Sequence, residues 1–161
     1  MTAADGAAER LHRILLSGGA TVATAESLTG GRLAARITDV PGVSATYRGG
    51  AVTYATELKV SVLGVPEDTV ARHGVVSAEC AAAMAEGARS LTGATYALST
   101  TGVAGPDQQE DKPAGTVYVG VAGPDGVTTV SLGLSGTRTQ IQEQTCDAAL
   151  AALAELLDPR T

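Results

Sequence analysis

The sequence contains no tryptophan and no phenylalanine, and its only aromatic rings are four tyrosines. A core without Phe or Trp must be filled with Ala, Val, Leu and Ile. The same scarcity argues against base stacking, the common grip on single-stranded nucleic acid. Positive charge is also short, with 11 Lys plus Arg against 17 Asp plus Glu, a net charge of -6 and a pI near 4.8. No basic patch interleaves with aromatics, so no nucleic-acid partner is expected. Cysteine is limited to Cys80 and Cys146. Two are too few for a disulfide framework and too widely spaced for a metal site. Both fall in alanine-rich helical stretches and read as small buried residues in a reducing compartment. A catalytic thiol is the weaker alternative, because no histidine lies near either in sequence. No run of eighteen apolar residues exists to span a membrane. The first residues carry early acids and no long apolar core, unlike a signal peptide. A cytoplasmic protein that contacts no membrane is expected.

What is present fits one domain over residues 1–161. Hydrophobic residues make up 44% of the chain, enough for a sizeable core. The spacing of Ala8, Leu11 and Leu15 predicts a helix over 5–17, ended by Gly18-Gly19. Ala20–Ala25 reads as a buried strand. A helix carrying Leu33, Ile37 and Val40 follows and stops at Pro41-Gly42. A loop over 42–50 leads to a strand at Ala51–Ala55, then a short helix around Glu57–Leu63, and Pro66 opens another helical turn. Ser77 has the position of a cap for a helix to about Leu91, with Ala81, Met84, Ala85, Ala88 and Leu91 on its buried face. Ala94–Thr100 is a strand, and a loop over 101–113 follows. Gly115–Ala122 and Val127–Leu134 pair as a hairpin. A last helix spans about 138–157, with Ile141, Thr145, Ala148, Ala149, Ala152 and Leu156 on one face. Strands alternating with helices predict an α/β domain, a three-layer α/β/α arrangement whose mixed, mostly parallel sheet ends in a C-terminal β-hairpin. Ligands bind such sheets in the loops beyond the strand ends. The loops 26–31, 42–50 and 99–106, rich in Gly and hydroxyls, are expected to form one cleft.

The run Thr24-Ala25-Glu26-Ser27-Leu28-Thr29-Gly30-Gly31 concentrates the chemistry. It places a hydroxyl at a sharp strand-to-helix turn, where backbone N–H groups lack internal partners. Ser27 there is either a helix N-cap or a nucleophile. No GxxxxGK[ST] and no GxGxxG with a following acid occurs, which excludes a P-loop and a dinucleotide fingerprint. The only histidines, His12 and His73, read as surface or helix-capping residues, which leaves a Ser-His-Asp triad and a His-based zinc site unsupported. A base for Ser27 would then have to be a lysine whose pKa is depressed by desolvation. The chain offers Lys59 and Lys112. Lys112 sits among acids in a loop. Lys59 can point back toward the strand ends, or be an ordinary solvated helix lysine.

Several ordered segments resemble the CinA C-terminal domain family, the nicotinamide-nucleotide amidases. They are the Ser27 run, Pro41-Gly42-Val43-Ser44, Gly49-Gly50-Ala51-Val52-Thr53-Tyr54 with Lys59, Leu63-Gly64-Val65, Gly74-Val75-Val76-Ser77, Thr101-Gly102-Val103-Ala104-Gly105-Pro106 and Lys112-Pro113-Ala114-Gly115-Thr116-Val117. The resemblance covers nearly the whole chain and implies a free-standing form, without the larger domain to which some members are fused. It implies hydrolysis of the carboxamide of nicotinamide mononucleotide to nicotinate mononucleotide and ammonia, by a Ser–Lys mechanism with no cofactor and no metal. By position it assigns Ser27 as nucleophile and Lys59 as base, with Ser44, Tyr54 and Thr101 as further catalytic positions. Thr29, Gly30, Gly31, Gly102 and Arg138 fall to substrate binding. Backbone N–H groups near Gly30-Gly31 or Gly102 could hold the oxyanion, and Arg138 is either a phosphate ligand or a surface arginine.

The chain departs from the family pattern at Gln108-Gln109, where a Gly pair is frequent, at Gln142, where a second arginine is frequent, and at Thr56, where Asn is. These changes bear on substrate affinity and leave Ser27 and Lys59 untouched. The rival reading is a non-catalytic nucleotide-binding or regulatory module using the same loops, with Ser27 and Gly30 as phosphate ligands. The alanine-rich helix faces suit a homo-oligomer.

Overall fold

The structure, a computed structural model, describes residues 3–159. Five strands form one sheet in the order β2-β1-β3-β4-β5, with β1 at Val22–Glu26, β2 at Tyr47–Val52, β3 at Tyr96–Gly102, β4 at Thr116–Gly123 and β5 at Gly126–Gly133. β1 pairs in parallel with both β2 and β3. β4 runs antiparallel to β3, and β5 antiparallel to β4, through the tight Pro124-Asp125 turn. Every residue of β1 is buried, as expected for a central strand covered on both faces.

The helices are α1 (Ala3–Ser17), α2 (Arg32–Thr38), α3 (Thr56–Ser61), α4 (Glu67–His73), α5 (Ala78–Thr92) and α6 (Arg138–Leu157). α1 and α6 cover one face of the sheet, with Leu11, Leu15, Leu150 and Leu153 packed in one cluster with Leu98 and Val119. α5 covers the other face, where Cys80 and Met84 pack with Ala23, Ala97 and Val65. Aliphatic residues and cysteine fill both layers. The two cysteines are free and buried. The α/β architecture with a mixed sheet and a hairpin matches the expectation from the sequence.

Three local expectations differ. β2 spans Tyr47–Val52, not Ala51–Ala55. Gly49-Gly50 read as loop punctuation, but Gly50 lies in the strand because a Cβ there would stand 2.2 Å from the Thr24 carbonyl oxygen of β1. Leu91 and Leu156, expected in buried faces, are 54% and 53% exposed. Each lies in the last turn of its helix, beyond the elements that cover the earlier turns. The third difference concerns the cleft. Parallel strands carry their C-terminal ends to one side of the sheet, so the segments following β1, β2 and β3 converge there. The segment 42–46 precedes β2 and lies at the other end. Its expected place in the cleft is taken by Thr53–Lys59, which follows β2.

Candidate active site

Ser27 directly follows β1. Its N–H donates to the Thr100 carbonyl at 3.0 Å, and its own carbonyl accepts the Gly30 N–H at 3.1 Å, closing a tight turn. Gly30 and Gly31 hold φ of 57° and 103°, a region that suits glycine and lets the chain re-enter as α2. Ser27 does not cap that helix. The carboxylate of Glu26 does: Oε1 accepts the Thr29 hydroxyl at 2.6 Å and the N–H groups of Gly31 at 3.2 Å and Leu33 at 2.9 Å, while Oε2 accepts the Ala34 N–H at 3.0 Å. The fixed anion fills the electropositive end of α2 and leaves the Ser27 hydroxyl free of that task.

Lys59 comes from α3, is 1% exposed, and points inward. Its Nζ lies 3.0 Å from Ser27 Oγ and donates to the Thr53 carbonyl at 2.7 Å and the Tyr54 carbonyl at 3.2 Å. Burial lowers its pKa, and negative charge on Cys80, Glu110 and Glu57 is the opposing influence. Burial also pushes the Cys80 thiol up to about 11, so at neutral pH Cys80 is uncharged and gives Lys59 no anionic support. A neutral amine has two N–H donors and one lone pair. As the ammonium, Nζ donates to both carbonyls and to Ser27 Oγ; once deprotonated, it keeps the carbonyls on its two N–H donors and turns its lone pair to the Ser27 hydroxyl proton.

These groups line a cleft of about 390 Å³. Tyr54, Thr101, Gly102 and Arg138 share its wall. Arg138, in the first turn of α6, donates to the Gly105 carbonyl at 2.6 Å and the Tyr54 hydroxyl at 2.8 Å. Thr101 spends its hydroxyl on the Val75 carbonyl at 2.6 Å, so its bond secures the cleft wall. On the same wall, Glu110 accepts the N–H groups of Val75 at 3.0 Å and Val76 at 2.9 Å, while Lys112 Nζ donates to the Val76 carbonyl. The loop in which Lys112 sits among acids is thus pinned to the wall by both signs of charge.

The structure brings Ser27, Lys59, Tyr54, Thr101, Gly102 and Arg138 together. It does not bring Ser44, Thr29, Gly30 or Gly31 into the cleft lining. Ser44 is exposed on a 3₁₀ turn at Val43–Ala45, before β2 and at the far end of the sheet from Ser27. Thr29 is fully buried, its hydroxyl held by Glu26 and, at 2.8 Å, by Thr100. The N–H groups of Gly30 and Gly31 are already donated to Ser27 and Glu26, which removes them as oxyanion donors. His12 is half-buried and bonded to Thr46, and His73 ends α4 beside Glu79; neither lines the cleft. Among the described residues no group of three or more His, Cys, Asp or Glu side chains converges as a metal site requires. No helix among them is long and apolar enough to cross a membrane. Sequence reasoning missed Glu26 and Glu110, and it singled out Gln142 for substrate affinity, whereas Gln142 bonds the Leu28 carbonyl and does not line the cleft. Glu26 carried a readable signal, since a carboxylate just before a Gly-Gly helix start can serve as its cap. Glu110 acts on a distant segment and carries none.

A serine at a strand end with a buried lysine against its hydroxyl, set in the loops of a three-layer sheet, defines an α/β protein with a candidate Ser–Lys site. The profile of the CinA C-terminal domain matches residues 4–157, and the chain belongs to that family. A CinA-like protein of Frankia casuarinae is 56% identical over 144 residues, covering 89% of this chain and 33% of the relative. A CinA-like protein of Citrifermentans bemidjiense is 45% identical over 150 residues, covering 92% and 36%. The chain therefore spans about a third of the length of these curated relatives. The crystal structure of a CinA superfamily protein from Klebsiella pneumoniae superposes with a TM-score of 0.94 at 36% identity, covering 97% of this chain and 98% of that one. The competence/damage inducible protein CihA from Agrobacterium tumefaciens gives 0.93 at 34% identity, covering 97% and 96%.

Proposed function

We propose that the chain hydrolyses the carboxamide of nicotinamide mononucleotide, giving nicotinate mononucleotide and ammonia. The observation that carries this reading is the buried Lys59 Nζ, 3.0 Å from Ser27 Oγ, with two carbonyls taking its N–H donors. Ser27 Oγ attacks the amide carbon as Lys59 takes its proton. The tetrahedral intermediate expels ammonia, which receives that proton from Lys59, and an acyl-serine ester remains. Water then attacks the ester with Lys59 again as base, releasing the acid and restoring Ser27. The developing oxyanion needs N–H donors. Leu28, Ala104 and Gly105 line the cleft, and their N–H groups meet no protein acceptor among the described residues, so they supply candidates. Arg138 is the cation placed to meet the substrate phosphate, trading its bonds to Gly105 and Tyr54 for a charge-assisted fork.

The test is ammonia release from the mononucleotide by wild type, Ser27→Ala and Lys59→Ala. Removing the base should cost about 10²–10⁴-fold in kcat. A clean wild type that binds the nucleotide and releases no ammonia would replace this reading with a non-catalytic nucleotide-binding module. Release that survives Ser27→Ala would remove Ser27 as nucleophile.

A further inference from the structure

The nucleophile turn is gripped from α6. Gln142 is 5% exposed, and its Nε2 donates to the Leu28 carbonyl at 2.9 Å across 114 residues of sequence. Leu28 is the residue after Ser27. Its side chain packs in a small apolar cluster with Ile141, the neighbour of Gln142 on the same helix. Leu28 is therefore held twice by α6, through its side chain and through its carbonyl. Ser27 is held from the other side by its N–H bond to Thr100 on β3. Arg138 lies one helical turn before Gln142 and reaches Gly105 and Tyr54. The start of α6 thus contacts all three segments that build the cleft.

We propose that Gln142 is a positioning residue for Ser27: its amide fixes the Leu28 carbonyl, and the fixed turn keeps Ser27 Oγ in line with Lys59. The proposal rests on the reading of Ser27 as nucleophile. A buried carbonyl that loses its donor pays a desolvation penalty or rotates to find another partner. Rotation of the peptide after Leu28 moves the turn that carries Ser27. The departure from the family pattern at position 142 is on this view a change in how the turn is held, since Gln142 does not line the cleft.

The test compares wild type with Gln142→Met, which keeps the length and loses the donor, and Gln142→Arg, which restores a donor. Three quantities are read: kcat and KM for ammonia release, the thermal midpoint, and the rate at which a fluorophosphonate probe labels Ser27. The expected result is a fall in kcat of about 10- to 100-fold for Gln142→Met with KM unchanged. Labelling should slow in parallel, and Gln142→Arg should recover most of both. If Gln142→Met does not fold, Gln142→Asn, one methylene too short to reach Leu28, carries the same comparison. A variant that lowers only the thermal midpoint, with kcat and labelling rate unchanged, overturns the proposal. Failure of the amidase reading looks different: wild type releases no ammonia while Ser27 still labels, and the labelling rates then decide the role of Gln142 alone. A wild-type Ser27 that does not label overturns the proposal together with the nucleophile assignment.

Discussion

Glu26 Oε1 accepts the backbone N–H of Leu33 at 2.9 Å, so the helix after Ser27 is capped by the residue before Ser27. The loop between them is closed from inside, and the same carboxylate takes Thr29, Gly31 and Ala34. Glu26→Ala leaves buried donors without an acceptor and should destabilise the fold by about 3 kcal/mol. The thermal midpoint should fall by about 6–12 °C, read by calorimetry. Glu26→Gln keeps one acceptor oxygen and should fall between. An unchanged midpoint for Glu26→Ala would show that the capping bonds add no stability.

As the proposed base, Lys59 should set the pH dependence of ammonia release. Its pKa is lowered by burial, so the neutral base becomes populated below the ordinary lysine value of about 10.4. Activity should rise with pH to a midpoint under that value. Lys59→Arg, whose group stays charged, should lose the rise along with the activity. A wild-type profile that falls through that range would contradict a lysine base.

The linkage to stability runs in two directions. For Lys59, the unfolded chain binds the proton more tightly, so stability rises with pH between the lowered folded value and the ordinary one. For Cys80 and Cys146, burial pushes the thiols up to about 11 and about 12, so the folded chain keeps protons that the unfolded chain loses. Their contribution is present below the unfolded thiol value and is lost as pH rises through the folded one. Two thiols outweigh one lysine, so urea midpoints should decline above about pH 9. Cys146→Ala should flatten that decline, and an unaltered slope would remove the thiol as its cause.

Arg138 ties the third loop to Tyr54. Arg138→Ala should raise KM for the mononucleotide by about 10- to 100-fold, the worth of a charge-assisted hydrogen bond. Arg138→Lys keeps the charge and loses the fork, so it should recover only part. Equal KM values for all three proteins would place the phosphate elsewhere.

Gly50 pairs with Thr24 where β2 runs beside β1. A Cβ there would meet the Thr24 carbonyl at 2.2 Å and the Thr24 hydroxyl at 2.3 Å. Gly50→Ala should cost about 3 kcal/mol, at the high end of overpacking. It should also reduce activity, because Thr53 and Lys59 hang from the end of the displaced strand. A urea midpoint equal to wild type would show that the strands part at no cost.

The layered fold was readable because it follows from local periodicity. α6 was expected at 138–157 and occupies Arg138–Leu157, and the face of Leu11 and Leu15 on α1 is buried as its spacing requires. β2 was misplaced because Gly49-Gly50 imitates a turn, and the need for glycine there lies in a neighbouring strand. At the site, Ser27 stood out as a hydroxyl at a strand-to-helix turn, and Lys59 as one of only two lysines. Ser44 shared a resembling segment, yet it precedes its strand where Lys59 follows, and strand direction sends them to opposite ends.

The sequence by itself determined the alternating elements and the aliphatic core, and it made Ser27 and Lys59 candidates while leaving their roles open. These depend on residue type and on spacings within a few turns of chain. The tertiary structure alone decided that Glu26 caps α2, that Gln142 grips Leu28, and that the Gly30 and Gly31 amides are already spent. A hydrogen bond joins whichever groups the fold brings within about 3 Å, and a donor's spacing in sequence does not say which acceptor will be there.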